Sequence, residues 1–117
     1  MPRVLIVEDD ESSRESLRAA LEDAGYTVVV AADGEAALAL YLEADVVVTD
    51  LVMEPIDGLQ LIEKLRRGSP QLQTILVTAH ANAAVERRAR RAGAFALLPK
   101  PIDLDALERA LQAALAS

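Results

Sequence analysis

The chain of 117 residues contains no cysteine, so disulfides, thiolate metal sites and Fe–S frameworks are excluded. A reducing interior suits such a chain. No apolar run approaches the length that crosses a bilayer, and Met1-Pro2-Arg3 passes at once into Val4–Val7 and then acids, without the long apolar stretch of a signal peptide. These absences predict a cytoplasmic protein with no membrane partner. No glycine-, proline- or serine-rich segment divides the chain, so one domain is expected over residues 1–117. Positive charge is scarce: 12 basic against 19 acidic residues give a formal net charge of −7, which argues against direct nucleic-acid binding. The imbalance is uneven. Residues 1–57 hold fourteen of the acids and only Arg3, Arg14 and Arg18 as bases, whereas residues 58–117 hold five acids and nine bases.

What is present is a repeated pattern of apolar runs that end on reactive side chains. Val4–Val7 precedes Glu8-Asp9, Val46–Thr49 precedes Asp50, Ile75–Val77 precedes Thr78, and Phe95–Pro99 precedes Lys100. Thr27–Ala31 is a further β-branched run. Between them lie helical patterns. Ser12 with Glu15 reads as a capping box opening a helix with Leu17, Ala20, Leu21 and Ala24, closed by Gly25. Asp33 caps a second, carrying Ala36, Ala37, Leu40 and Tyr41; Asp57 caps a third, with Leu59, Ile62 and Leu65 inward, stopping near Gly68-Ser69-Pro70. A stripe of Ala81, Val85, Ala89 and Ala92 ends at Gly93, and Asp103 caps a last helix with Leu104, Leu107, Leu111, Ala114 and Leu115.

Five β–α units in strict alternation, with solidly apolar strands, predict a parallel sheet buried on both faces and a three-layer α/β/α sandwich. Periodicity leaves the strand order open. In such sheets ligands bind at the carboxyl ends of the strands, where all four reactive ends would meet. Glu8, Asp9 and Asp50 would there bring three carboxylates together, and like charges that close call for a cation. Oxygen ligands without His or Cys favour a hard ion, and a partly open octahedral site favours Mg²⁺, with the Val52 backbone carbonyl as a further ligand. An aspartate carboxylate attacks phosphorus when the developing charge is neutralised, a role open to Lys100 and Thr78.

V-E-D-D at 7–10, D-L-V-M-E-P-I-D-G at 50–58, V-T-A at 77–79 and L-P-K-P at 98–101 closely resemble the receiver domain of two-component response regulators, and the likeness covers the whole chain. It implies a flavodoxin-like (βα)5 fold with strand order 2-1-3-4-5. It implies Asp50 as phosphoacceptor, fed by a histidine kinase, a phosphotransfer protein or a small phosphodonor. Glu8, Asp9, Asp50 and the Val52 carbonyl would hold Mg²⁺, Thr78 and Lys100 would contact the phosphoryl group, and the Lys100–Pro101 peptide would be cis. The domain would promote only its own phosphorylation and dephosphorylation. An output domain or target would lie outside these residues.

Three positions depart from the family or tune it. Leu97 stands where receivers often carry Tyr or Phe as part of their switch, and Glu54-Pro55 replaces a loop in which many members have proline one position earlier. His80, with Val52, occupies a position that tunes dephosphorylation in the family; by itself it reads as a solvated loop residue. Arg87, Arg90 and Arg91, with Arg88 nearer the border, give the fourth helix a basic outer face. That is either a solvated face or, as in receivers, part of an output or homodimer surface with the fifth strand and helix. Two other readings compete. A receiver-like module that signals without phosphate is kept open by Leu97. An aspartate-nucleophile phosphatase or dinucleotide reductase is opposed by the absence of D-x-D at Asp50 and of G-x-G-x-x-G anywhere.

Overall fold

Strands form in the computed structural model, which describes residues 1–117, wherever the chain is β-branched and apolar. They are β1 (Arg3–Val7), β2 (Thr27–Ala31), β3 (Val46–Asp50), β4 (Gln73–Thr78) and β5 (Ala96–Pro99). All pair in parallel, in the order β2-β1-β3-β4-β5. This is the flavodoxin-like order expected above. The helices are α1 (Glu11–Asp23), α2 (Gly34–Leu40), α3 (Gly58–Gly68), α4 (Ala83–Ala92) and α5 (Leu104–Leu115).

Alternate strand residues serve opposite layers. Val4, Ile6, Val46, Val48, Ile75 and Val77 pack against Leu21 of α1 and Leu107, Leu111 and Ala114 of α5. On the other face Leu5, Val7 and Val47 meet Ala37 of α2 and Leu61 and Leu65 of α3, while Leu76 meets Leu59, Ile62, Val85, Ala89 and Ala92 of α3 and α4. Each fully buried Leu or Ile contributes roughly 1.5–3 kcal/mol, so this double-sided burial is what holds the central strands rigid. Leu61, outside the inward set expected for α3, is fully buried because α3 lies between α2 and α4 and is covered on its flank.

Helix starts follow the aspartates. Asp33, Asp57 and Asp103 cap α2, α3 and α5, and Asp57 with Gln60 forms a complete capping box. The box expected at Ser12 and Glu15 does not form. Asp10 caps α1 instead, its carboxylate accepting from the Ser13 N–H at 2.8 Å, because an aspartate as good a cap as serine stands directly after the rim turn. Glu15, left inside the helix, pairs with Arg18 at 2.7 Å. Three boundaries also move. Ala81 precedes α4, whose cap is Asn82; Tyr41 opens a 3₁₀ turn, Tyr41–Glu43, beyond α2; and Phe95 lies just before β5, which begins where Ala96 pairs with Ile75. Gly25 and Gly93 follow α1 and α4 at φ of 101° and 97°, the left-handed conformation in which glycine is least strained.

Candidate functional site

Parallel register brings the strand ends level. Val7 pairs with Thr49, so the residues that follow, Glu8 and Asp50, stand side by side; Thr78 pairs with Pro99, so Lys100 follows at the same rim. One carboxylate oxygen each from Glu8, Asp9 and Asp50 lies within 4.8 Å of the others. Lys100 enters this cluster from β5. Its backbone N–H donates to the Thr78 carbonyl at 2.9 Å, and its Nζ donates to Glu8 Oε1 and to Asp50 Oδ2, both at 3.0 Å.

Asp50 is thus held at both oxygens, since Oδ1 accepts from the Leu51 N–H at 2.8 Å. Glu8 is buried and Asp9 exposed. Burial pushes the Glu8 carboxyl above its ordinary range, and the neighbouring Asp50 adds to this while Lys100 opposes it. For Lys100 burial acts to lower the ammonium, but its hydrogen bonds and charge interactions with Glu8 and Asp50 outweigh that and carry it up. Lys100 is therefore a fixed cation, serving as the internal counter-charge of an acidic pocket.

The other expected residues sit around this pocket in different ways. Thr78 is fully buried at the end of β4, where its hydroxyl accepts from the His80 N–H at 3.0 Å and its own O–H has no acceptor in the protein. Val52 is 58% exposed, and no N–H of the protein donates to its carbonyl. Three carboxylates on one rim are an all-oxygen donor set that fits a hard divalent cation. The Lys100–Pro101 peptide is cis, and so is Glu54–Pro55 in the loop after β3. His80 is exposed.

The arginines of α4 are all exposed, but they do not share one surface. Arg88 and Arg91 turn to a groove against α3, whereas Arg90 lines a cleft toward β5 with Glu86, Phe95 and Leu97. Leu97 is half-buried against the α3–α4 core.

Two residues near the site escaped the sequence reading. Arg14 donates from Nη1 to the Glu8 carbonyl at 2.8 Å, fastening the β1–α1 turn that carries the acids. Gly58 donates its N–H to the Leu51 carbonyl at 2.8 Å, and a Cβ on it would run into the Asp50 carbonyl. Gly58 closes the D-L-V-M-E-P-I-D-G run and follows the cap Asp57, but neither signal points to its contact with Asp50. Arg14 had none, because its contact depends on how the turn folds back.

A family model for the response regulator receiver domain matches residues 4–112. The response regulator MprA of Mycolicibacterium vanbaalenii is 38% identical over 115 residues, covering 97% of this chain and 50% of that protein. The transcriptional regulatory protein GlrR of Escherichia coli is 35% identical over 114 residues, covering 96% of this chain and 26% of that protein. The chain thus spans about half the length of the first and about a quarter of the second. Among solved structures, chemotaxis protein CheY4 of Vibrio cholerae superposes with a TM-score of 0.91 at 30% identity, over 97% of this chain and 98% of that one. The non-phosphorylated HemR receiver domain of Leptospira biflexa does so with a TM-score of 0.90 at 33% identity, over 100% and 96%. With the rim of acids, threonine and lysine already in place on the matching fold, the chain belongs to the response regulator receiver family of two-component signalling.

Proposed function

We propose that Asp50 accepts a phosphoryl group from a histidine kinase, a phosphotransfer protein or a small phosphodonor, and that the acquired charge switches a partner surface. The observation that carries this reading is the convergence of Asp50 with Glu8, Asp9 and Lys100 at one rim. A carboxylate oxygen of Asp50 bonds to phosphorus while the bond from phosphorus to the donor's nitrogen or oxygen breaks. Mg²⁺, held by Glu8, Asp9, Asp50 and the Val52 carbonyl, supplies charge neutralisation at the phosphoryl oxygens when bound. Lys100 exchanges its bond to Asp50 for one to a phosphoryl oxygen, and the free O–H of Thr78 donates to another. Arg14 holds the turn bearing the acids in place throughout.

The phosphoaspartate adds negative charge where Thr78 and Lys100 stand, which biases the ends of β4 and β5 toward a second arrangement. These ends adjoin α4, so of the arginines expected on a partner surface it is Arg90 that joins β5 and α5 in the output or homodimer surface, Arg88 and Arg91 facing α3 instead. Residues 1–117 are read as one receiver domain acting in the cytoplasm. No helix is long and apolar enough to cross a membrane. The domain catalyses no reaction on other substrates, and its output domain or target is a separate element.

Incubation with acetyl phosphate and Mg²⁺ is expected to give one phosphoryl adduct by intact-mass measurement, lost in Asp50→Ala. Equal labelling of the variant overturns the assignment of Asp50. No labelling of the unaltered chain by acetyl phosphate or by a phosphorylated histidine phosphotransfer protein favours the module that signals without phosphate.

A further inference from the structure

Between α3 and α4 runs an open groove that the phosphoryl site does not use. Its wide end, about 480 Å³, is lined by Arg66 and Arg67 of α3 and Arg91 of α4. A narrower stretch, with Arg88, shares Glu63, Arg91 and Ala92 with that end, so the two form one channel following α3 from Leu59 to Arg67. At the helical rise this is roughly 12 Å.

None of these four arginines is neutralised within the protein. Ion pairs join Arg18 to Glu15 and Glu22, and Lys100 to Glu8 and Asp50; Glu63, the single carboxylate in the groove, pairs with none of its neighbours. Compensation of the helix dipoles accounts for arginines in the last turns of α3 and α4, but not for Arg88 in mid-helix, nor for both helices turning guanidinium groups to one seam. Arg66 is held across that seam, with its guanidinium against Gly93. The setting sharpens the contrast. Residues 63–93 carry seven bases and two acids in a chain whose net charge is −7.

We propose that this groove docks a short acidic segment of a partner protein, whose carboxylates are received by Arg66, Arg67, Arg88 and Arg91. Planar guanidinium groups take carboxylates through paired hydrogen bonds. Two features favour a peptide over nucleic acid. The groove is only slightly longer than the Debye length of about 8 Å at physiological salt, so a segment confined to it is screened from the acidic half. A duplex, with a charge every ~1.7 Å, runs on into that acidic surface. Glu63 also faces the ligand, and a peptide offers N–H groups to it where a phosphate chain offers only acceptors.

The test is fluorescence anisotropy with a labelled peptide of four glutamates, about 13 Å long when extended, at about 0.15 M salt. Arg91→Glu, which alters both stretches of the groove, is expected to weaken binding about tenfold or more, and Arg88→Gln severalfold. The charge-matched Arg109→Glu, exposed on α5, is expected to change it less than about twofold, and added salt to weaken binding throughout. Melting curves establish that each variant is folded. No binding by the unaltered chain, equal losses from Arg91→Glu and Arg109→Glu, or tighter Arg91-dependent binding of an oligonucleotide of equal charge overturns the proposal. Acetyl phosphate labelling of Asp50 is expected to persist in all three variants, which separates this result from the phosphoacceptor assignment.

Discussion

Lys100 Nζ stands 3.0 Å from Asp50 Oδ2, and the same ammonium is 3.0 Å from Glu8 Oε1. One cation is therefore shared between two carboxylates, while Asp9, the third acid of the cluster, has no ion pair at all. The pocket retains excess negative charge even with Lys100 in place. A site in that condition attracts a further cation, and frees its lysine only when another positive charge takes over the carboxylates.

Removing the lysine exposes the conflict among the acids. Glu8 is already raised above its ordinary value of 4.5 by burial, with Asp50 adding to the effect and Lys100 opposing it. Lys100→Met deletes the opposing influence, so Glu8 rises further. A carboxyl raised on folding lends its stability below the unfolded value and loses it as pH climbs through the folded value. The melting temperature of Lys100→Met is thus expected to fall more steeply than that of the unaltered chain as pH is raised from 4.5 toward 7. At neutral pH the loss is about 1–3 kcal/mol, below the range for a fully buried pair because Lys100 is 28% exposed. Added Mg²⁺ restores part of it. Parallel curves for the two proteins would show that the lysine is not the counter-charge.

Asp9 separates metal binding from folding. It is exposed and anchors nothing, so Asp9→Asn removes a repelling charge and leaves every hydrogen bond of the site in place. Without added cation the variant is expected to melt at the same temperature or slightly higher. Its Mg²⁺ affinity, measured by calorimetric titration, is expected to drop about tenfold or more, equivalent to ~1.4 kcal/mol. Unchanged affinity would remove Asp9 from the ligand set.

The difference between Asp9 and Arg14 marks how far the sequence was legible. Strand runs and helix caps are local signals, and Val46–Val48 or Asp57 announces itself within a few residues. The rim followed once parallel pairing was assumed, because it needs only that each strand end on its reactive residue. Strand order did not follow from periodicity, since nothing within β2 records which strand lies beside it; the family likeness supplied it. Ser12 and Asp10 competed for one helix start, and the geometry of the preceding turn decided between them. Arg14 on Glu8, Lys100 bridging two acids, and the division of the α4 arginines between two clefts all depend on distances across the fold.

Gly58 joins the loop after β3 to Asp50, the proposed phosphoacceptor. Its N–H holds the Leu51 carbonyl, and a methyl group there would collide with the Asp50 carbonyl, backbone that cannot swing away as a flexible side chain would. Gly58→Ala is expected to lose about 1–3 kcal/mol of stability and to slow labelling by acetyl phosphate, because Asp50 itself must shift. Gly25→Ala is the control. Nothing lies within 4 Å of its added Cβ, so its cost is conformational, about 1 kcal/mol, with labelling unchanged. A Gly58→Ala protein that melts and labels like the unaltered chain would show that the α3 start does not position Asp50.

Leu97 pairs with Leu76 across β4 and β5, two residues before Thr78, so displacement of the Thr78 end meets an apolar contact. A polar-tipped ring is absent from that position. Beside Leu97 lies a cleft of about 300 Å³ bounded by Glu86, Arg90 and Phe95, with room for a larger side chain. Leu97→Tyr is therefore expected to fold with a change under ~1 kcal/mol, its ring in the cleft and its hydroxyl in water. Leu97→Ala gives up part of the contact with the α3–α4 core and is expected to lose about 1–2 kcal/mol, less than a fully buried leucine. Denaturant melts of the two variants decide the matter. A loss above ~3 kcal/mol in Leu97→Tyr would mean that the cleft does not admit the ring, and that the leucine is required by packing rather than merely accommodated.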